Sequence, residues 1–161
     1  MKDKEIERQE NEILLGIAED LRKKNLGTKD ILQAIQDTVV EHSWGMEHPY
    51  EAKSILESRF TSSEEAYKKG MISCGAMTNI GAVILRDLGY AVRLVHGSIP
   101  TSKDHAWLKV KEGEVWKEYD LTNGGNLPRE GRIIKNECSS WEEIRNVIEA
   151  GYGVGVHKDK I

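Results

Sequence analysis

The chain has 161 residues, of which 39% are hydrophobic and 31% are charged, and its formal net charge is −4 at pH 7. This length fits one domain with a single hydrophobic core. The negative charge and the lack of a Lys/Arg cluster argue against a nucleic-acid partner, because phosphate binding needs a concentrated basic surface. A membrane span requires roughly 18 uninterrupted apolar residues, and the sequence has no such run.

The N-terminus and the cysteine content predict a cellular compartment. Residues 1–8 are mostly charged and lack the apolar run of a secretory signal. Cys74 and Cys138 are the two cysteines, and two thiols in an intracellular protein are more often free than bridged. We therefore expect a cytoplasmic protein whose thiols are reduced and available for chemistry.

The N-terminal part of the chain is predicted to be helical. Apolar residues recur at helical spacing in the first 24 residues, and Gly27 resembles a glycine C-cap. Thr28 begins a second helix, which ends at a loop over residues 41–50. The predicted helices of this part cover residues 3–24, 28–40, 49–56 and 64–69.

From residue 71 onward the pattern changes. Cys74–Leu88 is apolar and rich in small residues, which predicts a buried central helix. Alternating and β-branched segments then predict strands with a hairpin turn at Glu112-Gly113. The predicted strands cover residues 90–99, 105–111, 114–121 and 132–135, followed by a helix over 141–150 and a glycine-rich, strand-like tail over 151–157. This order predicts a single α+β domain over residues 1–161, with a central helix packed on an antiparallel β-sheet.

Cys74 is the first candidate for chemistry because it stands at the predicted start of the central helix. Unpaired backbone N–H groups and the positive end of the helix dipole favour a thiolate there. The same N–H groups can stabilise an oxyanion on an attacked carbonyl. A cysteine in an apolar segment is also a common core residue, so this signal alone is weak.

His105 and Asp120 form the second candidate pair. With a two-residue turn at Glu112-Gly113, the two side chains lie directly opposite each other on the hairpin. A carboxylate in that position can hold an imidazole in the tautomer that serves a thiol as its base. The alternative is an ordinary surface histidine paired with a carboxylate. With Cys74 at a helix start, we favour a Cys74, His105 and Asp120 triad.

Three stretches resemble the transglutaminase-like branch of the papain-type cysteine enzymes. They are residues 70–74 with Gly70 and Cys74, residues 85–97 with Gly89, Arg93 and Gly97, and residues 105–122 with His105, Trp107, Trp116, Asp120 and Thr122. The resemblance implies a papain-like fold whose transglutaminase core covers residues 70–122, between N-terminal helices at 1–69 and a C-terminal part at 123–161. Two departures are the small Gly75 and Ala76 after the cysteine, and Leu121 where the family often has proline.

The resemblance implies an amide hydrolase or acyltransferase that forms a thioester on Cys74 and acts on a protein or peptide substrate without a cofactor or metal. The family completes its oxyanion hole with an upstream side-chain donor, for which Trp44 is the best candidate, and the alternative is that Trp44 only packs under its loop. Trp107 and Trp116 are candidate walls of the substrate site, although packing is the more common role of such residues.

Two other functions stay open. One is a glycopeptide amidase similar to peptide N-glycanase, which shares the Asp-His-x-Trp pattern found at residues 104–107. Such enzymes usually carry paired zinc-binding cysteines, which this sequence lacks. The other is a binding domain that keeps the fold without catalysis. The presence of all three triad residue types argues against that alternative.

Overall fold

The computed structural model describes residues 11–47, 62–123, 125–128 and 130–139. The predicted elements at 49–56, 141–150 and 151–157, and the first residues of the N-terminal helix, lie outside these ranges. The helices are α1 (Glu12–Lys24), α2 (Thr28–Trp44), α3 (Ser63–Lys68) and α4 (Cys74–Asp87), and the strands are β1 (Val92–Ile99), β2 (Ser102–Glu112), β3 (Val115–Tyr119) and β4 (Ile133–Cys138). In the described ranges, no helix combines the length and the apolar character that a membrane crossing demands.

The connection between α1 and α2 differs from the prediction. α1 ends at Asn25, which adopts the left-handed conformation with φ of 50°. Asparagine tolerates this conformation better than most residues do. The predicted C-cap role of Gly27 is therefore wrong, and Gly27 is instead the extended N-cap residue of α2. The predicted helix start at Thr28 is confirmed.

α2 runs through Trp44, so the predicted loop does not begin at Glu41. Its last turn is held by Ser43, which is 2% exposed and donates its hydroxyl to the carbonyl of Gly70 at 2.6 Å. A buried hydroxyl group needs a hydrogen-bond partner, and the extra helical turn places the Ser43 hydroxyl beside the Gly70 carbonyl. The bond fastens the end of α2 to the segment that leads into Cys74.

The sheet has four antiparallel strands in the order β3-β2-β1-β4. α4 contacts β1 and β2 as well as α1, α2 and α3, and most of its side chains are buried. Leu94, Leu108 and Val110 on the sheet are completely buried in the shared core. The predicted α+β fold, with a central helix packed on an antiparallel sheet, is confirmed.

β4 is longer than predicted. It covers Ile133–Cys138 rather than residues 132–135, and it pairs with β1 with Leu94 opposite Cys138. Cys138 therefore lies on a strand and packs against the core. The alternation of this stretch is interrupted by Asn136 and Glu137, which concealed its strand character.

The β2–β3 hairpin turns at Gly113-Glu114, one residue later than predicted. Glu112 consequently pairs with Val115, and Leu108 pairs with Tyr119. The predicted pairing of His105 directly opposite Asp120 is wrong, because the register is displaced by two residues. An even displacement preserves the alternation of side chains between the two faces of a sheet. The two residues accordingly remain on one side, as diagonal neighbours at the end of the hairpin.

Candidate active site

Cys74 is the first residue of α4, and its side chain is partly exposed. Ser73 is the N-cap, and its hydroxyl accepts a hydrogen bond from the N–H of Ala76 at 3.4 Å. Among the described residues, no group accepts a hydrogen bond from the N–H of Cys74 or of Gly75. The first turn of α4 also contains no acidic residue. The thiol thus lies at the positive end of the helix dipole, beside two backbone donors.

His105 joins Cys74 to Asp120. Its Nε2 atom lies 2.7 Å from Oδ2 of Asp120, and the two side chains are only 12% and 5% exposed. Hydrogen bonds with Asp120 and then with Cys74 raise the pKa of His105 to about 10, although burial acts in the opposite direction. With Nε2 directed at the carboxylate, Nδ1 is the ring nitrogen left for the thiol. The three residues predicted from the sequence are therefore brought together.

The carboxylate of Asp120 is held by the residues that follow it. Its Oδ1 atom accepts hydrogen bonds from the N–H of Thr122 at 3.0 Å and from the hydroxyl of Thr122 at 2.6 Å. Asp120 thereby caps the short 3₁₀ helix Leu121–Asn123. Its Oδ1 atom binds Thr122, and its Oδ2 atom binds His105. Its backbone carbonyl accepts a further bond from the N–H of Gly125 at 2.8 Å.

Leu121 holds the same segment against the core. Its side chain is 1% exposed and packs against α4 at Gly81, where the absence of a side chain leaves room for it. Leu121 is thus a core residue, and its packing fixes Asp120 relative to the helix that carries Cys74.

Trp107 lies in the core rather than at a substrate-lining surface, so its predicted role as a wall is not the one the structure shows. It is completely buried, and its indole N–H donates to Oε1 of Glu118 at 3.0 Å. Arg132 binds the other oxygen of that carboxylate through Nε at 3.1 Å and Nη2 at 2.8 Å. The ring centroids of Trp107 and His105 are 6.2 Å apart. Trp107 therefore supports the position of His105.

Sequence reasoning missed Glu118 and Arg132, since nothing local to either residue indicates the other. The available signal was alternation: Glu118 shares a face of β3 with Trp116 and precedes Asp120 on that face by two residues.

Trp44 and Trp116 are both accessible to solvent. The ring of Trp44, at the end of α2, is 77% exposed, and its role as an oxyanion donor stays a prediction. Trp116 is 40% exposed on β3 and borders a cavity described below. Its contact with a substrate likewise stays a prediction.

A second histidine–carboxylate pair lies on the neighbouring strands. The Nε2 atom of His96 is 2.6 Å from Oδ1 of Asp104, and the amide of Asn136 donates to its Nδ1 at 3.0 Å. Because an amide nitrogen only donates, Nδ1 is the acceptor and Nε2–H donates to Asp104. His96 is 7% exposed, and both of its ring nitrogens are occupied by structural partners.

The fold defines a class of protein. No protein-family model and no curated protein matches the sequence. A solved structure, described as "a Putative Cysteine Protease" from Cytophaga hutchinsonii, is similar with a TM-score of 0.59 and 17% identity, over 83% of this chain and 44% of that one. Calcium-bound LapG from Legionella pneumophila has a TM-score of 0.46 and 14% identity, over 76% of this chain and 82% of that one. The first likeness shows the papain-like cysteine protease fold, and this chain spans less than half of that protein.

Proposed function

We propose that this protein is a cysteine-dependent amide hydrolase of the transglutaminase-like type. The observation that carries the proposal is the position of His105, whose Nε2 atom lies 2.7 Å from Asp120 and whose pKa is raised by interactions with both Asp120 and Cys74. A nucleophile at a helix start, a base beside it and a buried acid that orients the base are the components of a thiol hydrolase triad. The papain-like fold supports the same assignment.

In the proposed reaction, the Cys74 thiolate attacks the carbonyl carbon of an amide while His105 holds the proton as an imidazolium. The N–H groups of Cys74 and Gly75 bind the resulting oxyanion, with Trp44 as a further candidate donor. His105 then passes its proton to the leaving amine, and a thioester remains on Cys74. Water, deprotonated by His105, hydrolyses the thioester and restores the thiolate–imidazolium pair.

Asp120 acts through His105 rather than on the substrate. Its Oδ2 atom receives the Nε2 proton, which keeps Nδ1 directed at the thiol and stabilises the imidazolium. The raised pKa of His105, about 10, favours its imidazolium form at neutral pH, and an imidazolium beside a thiol is the partner that a thiolate needs. We therefore expect Cys74 to react with alkylating reagents at a pH at which ordinary thiols are protonated and react slowly.

The first test is alkylation of Cys74 with iodoacetamide, followed by mass spectrometry across pH. Free thiols react slowly below about pH 8.5. We expect Cys74 to keep most of its alkylation rate at about pH 6, two to three units lower, in the wild type but not in His105→Ala. Cys138 in the same sample is the internal reference. A Cys74 profile that follows that of Cys138, or that is unchanged in His105→Ala, would contradict the thiolate–imidazolium pair.

The second test identifies the acceptor. A mixture of peptides is incubated with the protein in the presence and absence of a small primary amine, and the products are weighed by mass spectrometry. Hydrolysis adds the mass of water at a cleaved amide, whereas acyl transfer adds the amine. We expect hydrolysis products that are absent with Cys74→Ala. Amine incorporation alone would assign acyltransferase activity, and glycan release from a glycopeptide would favour the glycanase alternative.

A further inference from the structure

A cavity of about 600 Å³ lies along β3, outside the proposed triad. It is lined by residues 116–119, residues 125–127, Lys29 and Arg132. Successive side chains of a strand point to opposite faces, so consecutive residues can border one cavity only if it follows the edge of the strand. β3 is an edge strand of the described sheet, with β2 as its neighbour there. The cavity is therefore a groove between the free edge of β3 and residues 125–127, with Arg132 also in its lining.

The free edge of β3 presents backbone groups to this groove. The paired edge bonds to β2 from Glu112 opposite Val115 to Leu108 opposite Tyr119. Among the described residues, no backbone group pairs with the outer edge. Such an edge is a template on which an extended peptide can add a strand. The cavity volume of about 600 Å³ lies within the range of about 300–1,000 Å³ that is typical of ligand pockets.

The charges around the groove indicate what kind of peptide it takes. Lys29, Lys117 and Arg132 line it, against a single carboxylate, Glu118. Arg132 and Glu118 form an ion pair and offset each other, so Lys29 and Lys117 supply the excess positive charge of the lining. The Lys117–Glu112 contact is 3.4 Å long and Lys117 is 56% exposed, so this pair is weak. A basic groove in a protein with a net charge of −4 attracts an acidic ligand.

The groove ends beside Asp120, the proposed orienting acid. Tyr119 in its lining directly precedes Asp120, and Gly125 in its lining donates its N–H to the carbonyl of Asp120 at 2.8 Å. Trp116 adds a partly exposed aromatic surface to the same lining. We infer that the edge of β3 binds an extended, acidic segment of the protein substrate. This inference rests on the proposed function and names the substrate class for it.

The test measures binding to the Cys74→Ala protein by fluorescence anisotropy. The probes are two labelled peptides of about eight residues, a common strand length, in which alanine alternates with glutamate or with lysine. A third probe is the glutamate peptide with alternate backbone nitrogens methylated, which removes the donors needed for strand pairing. We expect the glutamate peptide to bind at least about tenfold more tightly than either of the others.

Variants locate the site. Lys29→Gln combined with Lys117→Gln should weaken binding of the glutamate peptide by about tenfold or more, whereas Lys68→Gln, on α3 and outside the lining, should leave it unchanged. Equal binding of the glutamate and lysine peptides, equal binding of the methylated peptide, or equal loss with Lys68→Gln would overturn the inference. If the glutamate peptide does not bind preferentially but Cys74 of the wild type is alkylated at low pH as expected, the groove is rejected and the triad is not. If the peptide binds as expected but Cys74 is not alkylated at low pH, the triad is rejected and the groove is not.

Discussion

Leu121 fills the space that a side chain on Gly81 would need, its Cδ1 atom lying 2.0 Å from the position of a Cβ on that glycine. Gly81 belongs to α4, which begins with Cys74, and Leu121 directly follows Asp120. This contact is therefore the packing that sets the distance between the proposed nucleophile and the proposed orienting acid. Substitutions at Gly81 and Leu121 can test whether this contact affects both the stability of the fold and the reactivity of Cys74.

Gly81→Ala should destabilise the protein by about 1–3 kcal/mol, because the added methyl group overpacks a closed contact. It should also slow alkylation of Cys74 at low pH, because Leu121 carries Asp120 with it when it moves. Chemical denaturation measures the first effect, and iodoacetamide labelling measures the second. Combining the change with Leu121→Val should recover part of both losses, and purely additive effects would show that the two residues are not coupled.

Gly16→Ala is the matched control for that substitution. Gly16 lies inside α1, and a Cβ there would meet no atom within 4 Å. Alanine in a helix interior is more favourable than glycine by about 0.5–1 kcal/mol. We therefore expect the free energy of unfolding to rise by this amount with no change in the reactivity of Cys74.

Asp120→Asn should slow the proposed reaction by about 10²- to 10⁴-fold. Thr122 donates twice to Oδ1, so the amide oxygen of the asparagine stays there and its NH₂ group faces Nε2 of His105. That arrangement makes Nε2 an acceptor and places the proton on Nδ1, where it blocks the base. The measurement is the rate of Cys74 alkylation at low pH.

Asp104→Asn is the control for Asp120→Asn, since Asp104 binds His96 instead of His105. We expect the Cys74 rate to change by less than about threefold in this variant. A similar loss in both asparagine variants would mean that the effect comes from general loosening of β2, not from the tautomer of His105.

The stability of the fold should depend on pH through His105. Its pKa is about 10 in the folded protein against an ordinary value of 6.5, because Asp120 and Cys74 hydrogen-bond the ring. A pKa raised by folding stabilises the folded state fully below the unfolded pKa and loses this contribution as pH rises through the folded pKa. His105→Gln should therefore lie furthest below the wild type near pH 6.5 and approach it near pH 10. Urea denaturation across this range measures the gap, and a gap that does not vary with pH would contradict the prediction.

Trp107→Phe should lower the free energy of unfolding by about 1–3 kcal/mol, because it removes the donor to Glu118 and leaves a partly buried carboxylate oxygen without that bond. Trp116→Phe, at a partly exposed position on the same hairpin, should change it by less than about 0.5 kcal/mol. Thermal unfolding of the two variants side by side measures the difference. Equal losses would show that Trp107 contributes only apolar area.

Periodicity predicted the order and type of the described helices and strands, because each element buries one repeating set of side chains. It did not place the hairpin turn, since Glu112-Gly113 and Gly113-Glu114 have the same turn composition. The contact between the side chains of His105 and Asp120 was still predicted correctly, because an even displacement leaves both residues on one face. A displacement of one residue would have put them on opposite faces.

The support around the site could not be predicted in the same way. The bond from Ser43 to Gly70 and the bonds from Arg132 to Glu118 join residues far apart in the chain, and local patterns carry no information on such pairs. The capping of Leu121–Asn123 by Asp120 could have been predicted from the sequence, because an aspartate side chain often accepts a hydrogen bond from the backbone two residues later.

The position of β4 beside β1 has a consequence for folding during protein synthesis. Cys74, His105 and Asp120 lie within 47 consecutive residues, and α4, β1, β2 and β3 follow one another with short connections. Elements linked by such local contacts form early. β4, which brings the carbonyl of Ile133 against Gly97 at the far side of the sheet, leaves the ribosome after them. The proposed nucleophile and its proposed base can therefore meet before the last strand of the described sheet is made.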